Sequence, residues 1–158
     1  MTLYSFLILG LSSVHKVLLP KISSGKKDNI KLSLLELNKI GFVLIVIYLL
    51  CLPFSKVMFS LLYGVDKYAN AYLVFDILAL SAILSFILSP YINILNRTGD
   101  FGFLLKYSGI VMLISIPCHF LGYFLYGTIG VACTTLLSHA SFNLIVSVKA
   151  RKILDSLS

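Results

Sequence analysis

Long apolar runs broken by short polar stretches dominate this sequence. Five runs can be read, Leu3 to Leu19, Gly41 to Leu62, Ala71 to Leu95, Phe103 to Tyr126 and Ile129 to Val148. A helix that crosses a bilayer needs about 20 predominantly apolar residues. The middle three runs exceed that, the last meets it, and the first is marginal. The pattern therefore predicts helices over about 3–22, 41–62, 70–96, 102–126 and 128–150. Between the first two runs, KKDNIKLSLLELNKI places Ile30, Leu34 and Leu37 on one helical face with Leu35 beside them. Asp28 and Asn29 can cap it at its start. That spacing predicts a short helix over about 28–39, lying at the membrane interface with its lysines toward lipid headgroups. A polar hairpin is the alternative.

Composition agrees with the pattern. The chain is 59% hydrophobic and 12% charged, with a mean hydropathy of +1.00, more apolar surface than 158 residues can hide in a water-soluble core. The fold class this implies is an all-α integral membrane protein with about five transmembrane helices and one interfacial helix. The first run lacks a basic segment ahead of it, and His15, Lys16 and Lys21 come after its apolar core, so it reads as a span rather than a signal peptide.

Charge supplies orientation, because short loops rich in Lys and Arg stay cytoplasmic. Eleven of the 13 basic residues fall in the first connection, in the third connection with Arg97 and Lys106, and in the tail with Lys149, Arg151 and Lys152. Lys56 and Lys67 are on the other side. The expected topology starts outside the cytoplasm and ends within it. The net charge of +7 follows from this asymmetry and from attraction to anionic membrane lipid, so nucleic acid is not an expected partner.

Several residues could carry chemistry. Asp76 lies six residues into its run, where a carboxylate costs roughly 2.5–3.5 kcal/mol at the helix centre, so it faces either protein and water or the outer interface. Ser85, Ser89, Asn93 and Asn96 share a helical face, with Arg97 at its cytoplasmic end. That stripe is bundle glue or the wall of a cavity. Arg97 could hold phosphate oxygens bidentately or anchor the helix to lipid phosphate. Pro20, Pro53, Pro90 and Pro117 read as kinks in spans rather than helix ends. Such kinks suit a transporter cavity. His15, His119 and His139 have no carboxylate at metal-site spacing, and His139 is expected to bond a neighbouring helix in preference to relaying protons. Cys51, Cys118 and Cys133 occupy separate runs without a C-x-x-C pair. Neither a metal, a cofactor nor a catalytic constellation is indicated.

The polar stretch LLYGVDKYANAY, residues 61–72, has a turn-permitting Gly64 and interface aromatics Tyr63, Tyr68 and Tyr72 around Asp66 and Lys67. Its pattern L-L-Y-G-x-x-K-Y-x-x-A resembles a signature of the polysaccharide-exporter branch of the multidrug/oligosaccharidyl-lipid/polysaccharide flippase superfamily. V-x-x-P-K-I-S from Val17 to Ser23 is similar to the end of a spanning helix in those proteins. Y-G-T-I-G-V-A-C-T-T-L-L-S from Tyr126 to Ser138 resembles their last helix hairpin, in which Gly127, Gly130 and Ala132 would allow close approach. INILNRTGD from Ile92 to Asp100 resembles their cytoplasmic turn more loosely.

The resemblance places the chain at the carboxyl-terminal part, most of one lobe of a MATE-like transporter. It implies a bacterial inner-membrane protein, with its first residues periplasmic, that works on an undecaprenyl-pyrophosphate-linked oligosaccharide, an O-antigen or capsule repeat unit. It further implies a missing amino-terminal half or an oligomeric partner, without which the chain would be inactive. Asp76, Ser85, Ser89, Asn93, Asn96 and Arg97 would then contribute to the substrate cavity. The other two expectations are a membrane-embedded enzyme of envelope biosynthesis and a non-transporting assembly or anchor protein.

Overall fold

The structure, a computed structural model, describes residues 9–13, 16, 27–63 and 70–156. Most of the predicted helix over 3–22, with His15, Pro20 and the V-x-x-P-K-I-S stretch, and the turn from Gly64 through Tyr68 lie outside the described residues. Four helices carry the rest: α1 Lys27–Tyr63, α2 Ala71–Leu88, α3 Pro90–Thr98 and α4 Phe101–Ser156. There is no strand among the described residues. Three stretches are long and apolar enough to cross a membrane, Leu34–Leu62, Ala71–Thr98 and Phe101–Ser156.

The first of these differs from the expected arrangement. Instead of an interfacial helix over 28–39 followed by a span from 41, α1 is continuous. Gly41 does not break it, since a lone glycine in a helix costs only about 1 kcal/mol relative to alanine. Its role is contact: a Cβ there would run into the Ile87 side chain, whose Cδ1 would be 2.8 Å away. Leu34 and Leu37 are buried against protein, whereas Leu35 is exposed. The apolar face of that segment thus serves the bundle.

Prolines mark α1, α2 and α4 differently. Pro53 and Pro117 lie inside helices that run through them. At Pro90 the helix is interrupted by one residue, so that α2 ends at Leu88 and α3 begins at Pro90. Proline denies the carbonyl four residues before it an N–H partner. Here that carbonyl is Phe86 O, and the Ser89 hydroxyl donates to it at 3.3 Å. A serine one residue ahead thereby supplies a donor that the proline removed.

α3 ends in a glycine cap. Gly99 has φ 80°, its N–H donates to Asn96 O, and the Asp100 N–H donates to Leu95 O at 3.1 Å. The Asp100 carbonyl then accepts from Leu104 N–H in the first turn of α4. The connection is short because its N–H and C=O groups find partners in the last turn of α3 and the first turn of α4.

α4 is a hairpin. Gly127 has φ 60° and ψ −139°, a conformation open to glycine and costly for side-chain-bearing residues, and the chain reverses there. The two arms, 101–126 and 128–156, run antiparallel, as the contacts of Phe103 with Lys149, His119 with Thr135 and Gly122 with Gly130 establish. Each arm exceeds the roughly 20 residues of a span. The 128–156 arm runs beyond the expected end at 150.

The core lies toward one end of the bundle. Leu34 and Leu37 of α1, Phe86 of α2, Tyr91, Ile94 and Leu95 of α3, and Val146, Ala150 and Leu154 of α4 form one buried cluster. The start of α1, the α2–α3–α4 connection and the chain's last turns therefore meet. This gathers Arg97, Lys149, Arg151 and Lys152 at that end. Along α1 and the first arm, by contrast, large apolar side chains such as Phe42, Leu50, Leu61, Leu113 and Phe124 are exposed.

A histidine and hydroxyl cleft between two antiparallel arms

The hairpin is tightest near its turn. A Cβ on Gly130 would collide with the Gly122 carbonyl oxygen, and one on Gly122 would sit 2.8 Å from Gly130 O. The close approach expected of this glycine-rich stretch is thus a backbone contact between arms, with Ala132 buried beside it. One or two turns from the crossing, bulkier residues part the arms. A cleft of about 270 Å³ opens there, lined by Ser108, Val111, Met112, Ser115 and His119 from the first arm and Thr135, Ser138, His139 and Phe142 from the second.

Periodicity explains why these residues share the cleft. Ser108, Ser115 and His119 are separated by seven and four, and Thr135, Ser138 and Phe142 by three and four, so each set lies along one face of its arm. Two hydroxyls already donate within their own helix, Ser108 to Leu105 O and Ser115 to Met112 O. Their oxygen lone pairs remain available toward the cleft.

His119 joins the arms. Its Nδ1 lies 2.6 Å from Ser115 O, and a carbonyl can only accept, so Nδ1 carries the hydrogen and donates. Its Nε2 is then an acceptor, and the Thr135 hydroxyl, 3.0 Å away across the cleft and 2.9 Å from Val131 O, has one hydrogen to share between the two. His139 reaches out of the hairpin: its Nδ1 is 3.2 Å from Ser81 Oγ on α2, and its own backbone carbonyl accepts from Asn143 Nδ2 at 2.9 Å. The bond to a neighbouring helix expected of His139 is there. Ser81 is fully buried, so it and His139 form a polar tie between α2 and the second arm. Among the described residues, no buried side-chain nitrogen or oxygen lacks a partner.

The residues singled out from sequence are distributed differently. Asp76 faces α1: Ser55 Oγ lies 2.9 Å from Asp76 Oδ2, and Tyr48 OH donates to the Asp76 carbonyl at 3.1 Å. Asp76 thus meets another helix through both its carboxylate and its backbone carbonyl. Ser85 and Asn93 are half-buried and Asn96 and Arg97 exposed, while Ser89 is committed to the Pro90 break. None of the six lines the cleft between the arms.

Sequence reasoning missed this cleft because it treated His119 in isolation. The signal that could have found it was the antiparallel pairing implied by Gly127, which sets His119 opposite Thr135. Among the described residues no three His, Cys, Asp or Glu side chains converge as metal ligands, and the three cysteines are free thiols in separate places. No protein-family model, curated protein or solved structure matches this chain.

Proposed function

We propose that this chain is an integral protein of the bacterial inner membrane and forms part of the carboxyl-terminal lobe of a flippase for a lipid-linked oligosaccharide. The observation that carries this reading is the cleft between two apolar arms, lined by hydroxyls and histidines. Polar groups at membrane depth face protein or a hydrated pathway, since lipid cannot satisfy them. His139 is about 18 Å along the second arm from the Gly127 turn at 1.5 Å per residue, near the middle of a hydrocarbon layer about 30 Å thick. Oxygen acceptors beside the apolar Val111, Met112 and Phe142 suit a polyhydroxylated solute, whose hydroxyls are donors.

Two further features support the reading. The large apolar side chains left exposed on α1 and the first arm are suited to lipid or a second lobe. The gathering of cations at the core end agrees with a cytoplasmic placement of that end, with the Gly127 turn in the periplasm. The motifs of residues 61–71 and 126–138 supply the resemblance that names the cargo as an undecaprenyl-pyrophosphate-linked O-antigen or capsule repeat unit. Alternating access requires two lobes closing on one site, so transport would need an amino-terminal lobe or an oligomeric partner.

The test is complementation in a strain lacking its repeat-unit flippase. The chain is expressed alone and together with a separately encoded amino-terminal lobe of a repeat-unit flippase. Surface polysaccharide is expected only from the pair, and His119→Ala or Ser138→Leu should reduce it. Failure of the pair as well as the single chain would overturn the transport reading. Restoration by the chain alone would replace the second lobe with a homo-oligomer.

A further inference from the structure

We infer that Arg151, positioned by Tyr91, forms a binding point for phosphate at the core end of the bundle. This rests on the membrane reading above, which puts that end at the headgroup layer, and it departs from the sequence expectation that named Arg97. Arg151 is exposed but held. Its Nη2 donates to Tyr91 OH at 3.3 Å, and its Cζ lies 5.4 Å from the centre of the Tyr91 ring. Tyr91 is itself only 3% exposed and belongs to the buried cluster, so the platform beneath the guanidinium is fixed.

The neighbouring cation is held in another way. Two residues earlier and on the far flank of buried Ala150, Lys149 Nζ lies 3.6 Å from Asp100 Oδ2 and 5.6 Å from the Phe103 ring centre. A carboxylate answers the charge of Lys149. The phenol that holds Arg151 is neutral, so it orients the guanidinium without cancelling its charge. Arg has five N–H donors in a planar fork matched to two oxygens of a phosphate, and one of them is on Tyr91. Orientation by Tyr91 removes part of the side-chain entropy a ligand would otherwise have to quench. Lys152, exposed on the next position, adds charge from the same turn.

The chemistry recognised is a phosphate ester or diphosphate at the membrane surface. It can come from a phospholipid headgroup or from a soluble or carrier-linked diphosphate, and the experiment separates these. The purified full chain in detergent is titrated with phosphatidylglycerol or phosphatidylcholine, and bound lipid is counted by native mass spectrometry with and without inorganic pyrophosphate. Arg151→Gln should weaken phosphatidylglycerol binding about fivefold, as one cation removed from an anionic surface does. Arg151→Lys keeps the charge and should recover part of the loss. Tyr91→Phe keeps the ring and the packing but not the hydroxyl, and should lower binding about twofold with unchanged helical content, the signature of a positioning residue.

Competition by pyrophosphate assigns the site to diphosphate chemistry, and resistance to it assigns the site to phospholipid headgroups. Binding by Arg151→Gln equal to that of the unaltered chain would overturn the inference and leave the Tyr91 contact a staple between α3 and α4. Release of the chain from membranes by alkaline carbonate would instead overturn the membrane reading itself, so the two failures are distinguishable.

Discussion

The two halves of the α4 hairpin are built on opposite rules. Near the turn, Gly122 and Gly130 bring backbone against backbone, and nothing larger than hydrogen fits between them. Farther from it, the same two arms part around an opening lined with hydroxyls and histidines. Side-chain volume alone decides which rule applies. Small residues let helices pack by van der Waals contact, the main source of helix association where no water remains to be expelled. Large residues with polar neighbours leave a cleft whose walls must satisfy themselves, which here they do by donating to their own helix carbonyls.

Substitution at the crossing should give the largest effect. A methyl group on Gly130 meets backbone on the opposite arm, which cannot rotate away, so Gly130→Ala should destabilise the hairpin by about 3 kcal/mol, the upper range for overpacking. Thermal unfolding in detergent followed by circular dichroism measures it. Gly41→Ala sharpens the comparison, because the obstacle there is the flexible Ile87 side chain. A loss of about 1 kcal/mol is expected at that position, and equal losses at both would show that backbone proximity is not what distinguishes the crossing.

The turn itself comes next. Gly127→Ala forces a side chain into φ 60° and ψ −139°, a strain of about 2 kcal/mol, with nothing within 4 Å to clash. The same melting experiment should find it below Gly130→Ala. If it exceeds Gly130→Ala, the reversal and not the contact dominates the hairpin.

Polar ties should matter least for stability. Thr135→Val removes the partner of His119 Nε2, and Ser81→Ala removes that of His139 Nδ1. Inter-helix hydrogen bonds in membrane bundles average about 0.6 kcal/mol, so each variant should melt within a few degrees of the parent. Under the transport reading, Thr135→Val should still lower polysaccharide export. A variant that loses stability but exports normally would make the cleft a packing feature.

Much of the helix layout was legible in the sequence. Apolar runs of spanning length give the helices from Leu34 onward, because burial of backbone groups in an apolar medium leaves few other structures. The Gly127 reversal was visible as the gap between the helices expected over 102–126 and 128–150, whereas Pro90, read as a kink within one span, instead separates α2 from α3. The join of the 28–39 segment to the following span was not, since a glycine that breaks a helix and one that admits a neighbour look identical until Ile87 is in place. For the same reason the site residues read from one helix, Ser85, Ser89, Asn93 and Asn96, could be placed on a face but not given an opposite wall.

The sequence by itself determined that the chain is helical, that its spans are apolar on nearly every side, and that its positive charge is segregated along the chain. These follow from composition and period, which each residue carries with it. The tertiary structure decided which polar groups meet: Ser55 with Asp76, Ser81 with His139, His119 with Thr135, and Tyr91 with Arg151. Each pair joins residues on different helices or on different arms of the hairpin. Such a pairing depends on the rotation and depth at which two helices stop, and that is set by side-chain volumes at their contact, a property of the pair that neither helix encodes alone.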